Sequence, residues 1–291
     1  MIREHTVEID GLRLRYAEGD DAGPPLVLLH GALLGWEEFL PLLPELAPRW
    51  RVLAPDFSGH GGSARRERYT FGAWLEETAG FLASRVGAPA VIAGHSLGGF
   101  VGMGLASRYP DRVAGLALLD SFINLDTFLA GPFPAFFAAL AALEPARHGV
   151  DDLARRIGEI PVQLPGHPEP ASWGALPGMD PAVRRYLASS VLRSDPAVLS
   201  QILSGSALAD YDPGALLADV ACPTLLVQAD PAVGGMLTDA DVARARPHLA
   251  GATCARLDGV GHLLHLQDPA PVGRALLWFL ESLRGASTAA L

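Results

Sequence analysis

One serine stands among glycines in the stretch VIAGHSLGGF, residues 91–100, directly after an apolar run. Gly94 and Gly98 lie two positions before and after Ser96, which gives the spacing G-x-S-x-G. Between a buried strand and a helix, such a turn is too tight for side chains and exposes the serine oxygen at the sheet edge. The start of the helix also points free N–H groups at whatever that oxygen attacks. The sequence therefore predicts that Ser96 is a nucleophile.

A serine hydroxyl needs a base before it can attack an acyl carbon. Nine histidines are available, and we favour His262 in DGVGHLLHLQDP, because it follows the last predicted strand and precedes the final helix. His265 is the weaker alternative, since it falls inside the start of that helix. The loops at the same sheet edge also hold His30, His60 and His95, for which structural roles are available.

An acidic residue must orient the base. In proteins with a nucleophilic serine on such a strand-to-helix turn, this acid lies between the serine and the histidine along the chain. Asp230 is our first choice, because it ends the strand just before the strand of the histidine. Asp120, at the end of GLALL, is the rival. Asp239 and Asp241 stay open as well, although TDADV is also typical of a helix start, with Thr238 or Asp239 as the cap.

The oxyanion that forms during acyl transfer needs backbone N–H donors held in place beforehand. One donor should be the N–H of Leu97, directly after the nucleophile. The other should come from the loop HGALLGWEEF, where Gly31 permits a close approach and Ala32 offers its N–H.

The elements that position these residues are short apolar runs alternating with longer amphipathic segments. TVEID and LRLRYAE alternate in polarity and predict a hairpin turning at Asp10 and Gly11. Continuous apolar runs follow, which suits parallel strands buried on both faces. Helical segments such as 71–86 and 98–109 separate them, so the chain is predicted to form a mostly parallel α/β sheet with helices on both faces.

One region interrupts this alternation, because the spacing between strands is too long for a single crossover. We predict that residues 122–212 form a helical cap inserted into a core made of residues 1–121 and 213–291. The cap is rich in aromatic side chains, which would line an apolar pocket over the nucleophile. The expected substrate-binding residues are Phe122, Phe128, Phe136 and Trp173.

Composition excludes several classes of function. The net charge of −10 opposes nucleic-acid binding, which needs basic patches. All 22 basic residues are arginines, so a P-loop lysine and a pyridoxal-phosphate Schiff base are excluded. The two cysteines show no zinc-ligand spacing. No apolar run is long enough for a membrane span and no signal peptide is visible, so a cytoplasmic location is expected.

Together these motifs resemble the α/β-hydrolase superfamily, in its serine-nucleophile branch with a cap domain. The matching pieces, in the order typical of that family, are His30-Gly31, DFSGHGGS, GHSLGG, YPDRVAGLALLD, PTLLVQAD and GVGHLLHLQDP. The resemblance implies an eight-stranded type of sheet, a Ser-His-acid triad, no metal and no cofactor. It also implies that His60, in GHGGS, belongs to a structural turn.

The sequence departs from that family at the acid. In many relatives the strand ends in glycine and the acid follows three residues later, whereas here Ala229 holds the glycine place and Ala232 the third position. Either Asp230 serves from a shortened loop, or the acid has moved to Asp120, as in some relatives.

A serine nucleophile, as opposed to the aspartate of dehalogenase relatives, favours acyl chemistry. We expect a serine hydrolase of small, apolar carboxylic esters or lactones, with no nucleic-acid or membrane partner. The alternatives are a C–C bond hydrolase, a lyase or a cofactor-free haloperoxidase on the same framework, or a non-catalytic ligand-binding protein. The apolar cap could equally form a homodimer contact.

Overall fold

Ten strands form in the computed structural model, which describes residues 2–20, 23–249 and 251–288. They are β1 Arg3–Ile9, β2 Leu12–Glu18, β3 Pro25–Leu29, β4 Arg51–Pro55, β5 Ala90–His95, β6 Val113–Leu119, β7 Pro161–Val162, β8 Ala171–Ser172, β9 Thr224–Ala229 and β10 Thr253–Leu257. The predicted hairpin is formed by β1 and β2, and its turn residues Asp10 and Gly11 both have positive φ, 50° and 79°. Asparagine, aspartate and glycine tolerate this backbone best, which explains the turn.

Eight of the strands form one sheet in the order β1-β2-β4-β3-β5-β6-β9-β10. Only β2 runs against the others in this sheet, since it pairs antiparallel with both β1 and β4, and the pairs from β4 to β10 are parallel. Because parallel neighbours share an edge, the carboxyl ends of β3, β5, β6, β9 and β10 meet on one side of the sheet. The predicted α/β-hydrolase fold is confirmed.

The central strands are buried on both faces, as their unbroken apolar sequences indicate. In β3, Val27 and Leu29 pack into one hydrophobic cluster, whereas Leu26 and Leu28 pack into a second cluster on the opposite face. All four side chains are fully buried. A strand with such surroundings needs helices on both sides of the sheet.

The helices supply that cover. They are α1 Leu43–Leu46, α2 Phe71–Phe81, α3 Leu97–Arg108, α4 Leu125–Ala130, α5 Phe133–Ala142, α6 Val150–Glu159, α7 Pro181–Arg193, α8 Pro196–Leu203, α9 Pro213–Ala218, α10 Asp239–Ala245, α11 Leu264–Gln267 and α12 Pro269–Thr288. The predicted helices over residues 71–86 and 98–109 correspond to α2, with the short turn that extends it, and to α3. Within the described residues, none of the helices has the length and apolar character that a bilayer span requires.

The segment between β6 and β9 is an insertion relative to the sheet, where these two strands are direct neighbours. It holds α4 to α9, together with the two-residue strands β7 and β8, which pair with each other. The sequence predicts helices and loops there, and the short strand pair was not predicted. This segment lies beside the carboxyl edge, since α5 and α7 place side chains around Ser96.

Candidate active site

Ser96 occupies a strained turn between β5 and α3. Its φ of 50° and ψ of −116° are unusual for a residue with a side chain. The two flanking glycines permit this turn, because a Cβ atom on Gly94 would collide with the backbone of Gly98, and one on Gly98 would collide with the carbonyl of Leu29. Close packing of β5 against α3 therefore holds Ser96 in the tight turn that the sequence predicts.

His262 lies in the loop between β10 and α11, and its imidazole is held by Asp120. The Nδ1 atom of His262 is 2.8 Å from Oδ2 of Asp120. Asp120 follows β6 with a φ of 45° and is fully buried. Its carboxylate also accepts the backbone N–H groups of Ala229, Met236 and Leu237, at 3.1, 2.7 and 3.0 Å. Four donors thus fix the carboxylate that orients the histidine.

Asp230, the acid favoured from the sequence, does not contact His262. Its carboxylate instead accepts N–H groups from Ala232 at 3.0 Å and Gly259 at 2.9 Å, joining the loop after β9 to the loop after β10. The Gly259 hydrogen bond, with help from Ala232 and Arg256, lowers the pKa of Asp230. Asp230 directly follows β9 and begins a short helical turn, so its side chain is used locally.

Asp239 and Asp241 serve α10. Asp241 forms a reciprocal capping box with Thr238, which confirms the predicted helix start, and also accepts the hydroxyl of Thr127 at 3.0 Å. The Asp239 carboxylate is mostly exposed and pairs with Arg256 and Gln228. The carboxylates of both aspartates are thus bound to other groups, and the carboxylate at the imidazole of His262 is that of Asp120.

The environment of His262 favours the neutral imidazole. Burial lowers the pKa of His262, and the nearby His95 acts in the same direction, whereas Asp120 opposes the shift. A neutral imidazole with its Nδ1–H directed at a carboxylate has Nε2 free to accept a proton. That is the state a general base requires.

The other histidines of the edge have structural partners. His30 Nε2 accepts the N–H of Phe57 at 2.9 Å. His60 packs against His30, Phe57 and Trp74, and burial lowers its pKa to about 3. These contacts suit the structural role that the sequence suggested for His60.

A small apolar cavity of about 60 Å³ adjoins Ser96 and His262. Phe136 and Trp173, both expected to bind substrate, line it and stack on each other with ring centroids 4.3 Å apart. Phe133 packs its ring edge-to-face against His262 at 4.5 Å. The only ionisable side chains among the lining residues are His95 and His262.

A second cavity of about 30 Å³ touches Ser96 from another side. Phe122 and Phe128, the other two expected substrate-binding residues, line this cavity and stack on each other at 4.5 Å. Both cavities share Ala32, Ser96 and Phe137. The four predicted aromatic residues therefore divide between two small spaces around one serine.

The two expected oxyanion donors lie at the start of α3 and in the loop after β3. Leu97 is the first residue of α3, where a backbone N–H has no partner within the helix. Ala32 follows β3 and lines both cavities. Gly31 also lines the first cavity, and it lies against His95, because a Cβ atom there would be 2.8 Å from His95 Nδ1.

Sequence reasoning missed two kinds of residue. Leu187 and Val191 of α7 line the first cavity, although no motif marks them. Glu38 is fully buried beside His95 and His265. No local signal marks Glu38, which stands beside the partly exposed Glu37 in WEEF, and only its burial next to two histidines distinguishes the two carboxylates.

The chain matches a known protein family over most of its length. Residues 26–275 match the model of the alpha/beta hydrolase family. The pimeloyl-[acyl-carrier protein] methyl ester esterase of Aromatoleum aromaticum is 32% identical over 259 residues, which covers 84% of this chain and 94% of that protein. The 2-hydroxymuconate semialdehyde hydrolase of a Pseudomonas species is 36% identical over 105 residues, 34% of this chain and 37% of that protein.

Among solved structures, a membrane phospholipase A described as a bacterial virulence factor superposes with a TM-score of 0.73 and 27% identity. The match covers 97% of this chain and 87% of that chain. The expectation of a hydrolase enzyme of the esterase type is confirmed by these relationships. The chain belongs to the alpha/beta hydrolase family.

Proposed function

We propose that the chain is a serine hydrolase that cleaves small, apolar carboxylic esters or lactones through Ser96, His262 and Asp120. The observation that carries the proposal is the pairing of His262 with Asp120 at the cavity into which Ser96 opens. Residues 122–212 act in this proposal as a cap, since Phe133, Phe136 and Trp173 cover that cavity.

The chemistry follows from the positions of these groups. His262 Nε2 takes the proton of Ser96 as the serine oxygen bonds to the carbonyl carbon. The carbonyl π electrons move to oxygen, and the N–H groups of Leu97 and Ala32 donate to that oxyanion. When the C–O bond to the alcohol breaks, the imidazolium gives its proton to the leaving oxygen. Water, deprotonated by His262, then releases the acid from Ser96.

Asp120 stabilises the imidazolium that forms in each half-reaction. Its carboxylate is already oriented by three backbone N–H groups, so little reorganisation accompanies the proton transfer. It also fixes the tautomer, since the proton on Nδ1 is directed at Oδ2.

The cavities favour a small, uncharged substrate. Both are narrow, and their lining side chains are mostly apolar. A substrate with a carboxylate, such as a muconate derivative, would find no arginine among the lining residues of either cavity. This favours ester or lactone hydrolysis over C–C cleavage of a carboxylate-bearing ketone.

Hydrolysis of p-nitrophenyl acetate, butyrate and octanoate tests the proposal, with wild type and Ser96→Ala compared after purification. We expect turnover in the wild type that is highest for the shorter chains, and loss of turnover by a factor of about 10³ or more in Ser96→Ala. Wild-type protein that hydrolyses none of these esters, nor a simple lactone, but cleaves an uncharged diketone would assign it to C–C hydrolysis instead.

A further inference from the structure

Three buried ionisable side chains form a cluster next to His262, since the ring of one member, His95, lies 4.7 Å from the His262 ring. Glu38 comes from the short helical turn after β3, His95 ends β5, and His265 lies in α11. Glu38 Oε2 is 3.3 Å from His95 Nδ1 and 3.6 Å from His265 Nε2. All three side chains are at most 1% exposed, so the cluster must satisfy its charges internally.

The hydrogen bonds of His95 constrain its protons. Its Nε2 lies 3.1 Å from the carbonyl oxygen of His262, which can only accept, so Nε2 carries a proton. Its Nδ1 then faces the Glu38 carboxylate, which also can only accept. A neutral ring would present a lone pair to that carboxylate, whereas a ring protonated on both nitrogens donates a hydrogen bond to the carbonyl and pairs by charge with the carboxylate at 3.3 Å.

The other oxygen of Glu38 reaches the oxyanion loop. Glu38 Oε1 accepts the backbone N–H of Gly31 at 3.1 Å, one residue before Ala32. Gly31 also packs directly against the His95 ring. The Glu38 carboxylate thus binds the loop that contains Ala32. Through His95 it is also connected to the backbone of His262.

We propose that Glu38 is a positioning residue, which holds His95 as an imidazolium and thereby joins the Gly31–Ala32 turn to the His262 loop. This role rests on the proposed function of Ser96 and His262. Burial alone would raise the pKa of Glu38, but His95 and His265 outweigh burial and hold that pKa below its ordinary value.

The protonation of His95 is tested without any substrate. Ring ¹⁵N spectra of histidine-labelled protein at pH 8 should show one buried histidine with both nitrogens protonated, and Glu38→Gln should convert it to a neutral ring. The signal is assigned by its loss in His95→Gln. The titratable groups facing this ring are Glu38, His262 and His265. A neutral His95 in the wild type would overturn the proposal.

Kinetics test the positioning itself. Glu38→Gln keeps an oxygen for the Gly31 N–H and an amide donor for a neutral His95, so we expect kcat within about fivefold of wild type. Glu38→Leu removes both contacts and should lower kcat by about 10- to 100-fold, with KM within threefold of wild type. The value of kcat is calculated per active enzyme molecule, measured as the amount of Ser96 that a fluorophosphonate labels. The matched control is Glu37→Gln, which changes a neighbouring carboxylate bound to Arg15.

Three results would overturn the proposal. The first is an unchanged kcat per labelled serine in Glu38→Leu, and the second is an equal loss of kcat in Glu38→Gln and Glu38→Leu. The third is one equivalent of zinc in chelator-free wild-type protein that disappears in Glu38→Gln, since the cluster would then be a metal site. If Glu38→Leu does not fold, the histidine spectra decide. Because those spectra need no turnover, failure of the esterase activity and failure of this assignment are separate outcomes.

Discussion

His262 Nδ1 lies 2.8 Å from Asp120 Oδ2, although the two residues are 142 positions apart in the chain. The sheet explains how they meet, because β6 and β10 are separated only by β9 and both end at the same edge. The φ of 45° at Asp120 turns the chain sharply after β6. The neighbouring strand β9 contributes Asp230 to a loop contact instead.

Replacing the acid should separate the two aspartates. Asp120→Asn removes the charge that orients and stabilises the imidazole, and we expect kcat to fall by about 10³- to 10⁴-fold. Asp230→Asn should keep kcat within about threefold, because its carboxylate contacts backbone N–H groups and not the imidazole. Ester hydrolysis by the two variants, normalised to folded protein, measures this. A larger loss of kcat in Asp230→Asn than in Asp120→Asn would assign the role of catalytic acid to Asp230 instead.

The pH dependence of activity follows from the lowered pKa of His262. The base must be neutral, so activity is present above its pKa and is lost as the pH falls through it. Because burial lowers this pKa from the ordinary 6.5, the acidic limb of kcat/KM should have its midpoint below 6.5. A pH profile on a short ester measures the midpoint. A midpoint above 7 would contradict the described surroundings of His262.

Gly98, two residues after Ser96, should tolerate no side chain. A Cβ atom on Gly98 would collide with the backbone carbonyl of Leu29, which cannot move without shifting β3. We expect Gly98→Ala to lower the free energy of unfolding by about 3 kcal/mol or more, or to prevent folding. Gly214→Ala is the matched control, since its Cβ would meet only Asp212 at 3.5 Å. Urea denaturation compares them, and equal stability of the two variants would refute the packing argument.

The size of the substrate should depend on Val191. This residue lines the small cavity at Ser96 and also a neighbouring groove of about 590 Å³. Val191→Ala removes two methyl groups from their common wall, and alanine suits a helix. We expect kcat/KM for octanoate relative to acetate esters to rise by about 10-fold, the lower end of the effect that a single methylene contact has in an apolar pocket.

A control for this prediction lies on the same helix. Leu192→Ala changes a side chain that lines the groove but is not among those lining the cavity at Ser96. It should leave the ratio of octanoate to acetate hydrolysis close to wild type. A ratio unchanged in Val191→Ala would show that the groove does not receive the acyl chain.

Much of the fold follows from local sequence signals. Most strands of the sheet from β3 onward are largely apolar runs, and such runs predict buried parallel strands before any contact is known. The turn at Ser96 can also be predicted from neighbouring residues, since its two glycines indicate a close approach of strand and helix. These features depend on neighbours along the chain, which a single sequence displays.

The choice of acid could not be made in this way. Asp120 and Asp230 both follow apolar strands, and only the three-dimensional path of the loops after β9 and β10 directs Asp120 to the histidine. Glu38 was missed for a similar reason, because its partners His95 and His265 come from distant elements. Leu187 and Val191 gave no signal, since aliphatic residues on a helix are typical of any core.

The most direct test of the account is the mass of the enzyme during turnover. Wild-type protein mixed with p-nitrophenyl acetate, quenched in acid within milliseconds and digested, should carry one acetyl group on the peptide that contains Ser96. The adduct should be absent from Ser96→Ala. Continued hydrolysis with no acetyl group on that peptide, or with the acetyl group on another residue, would contradict the acyl-enzyme on Ser96.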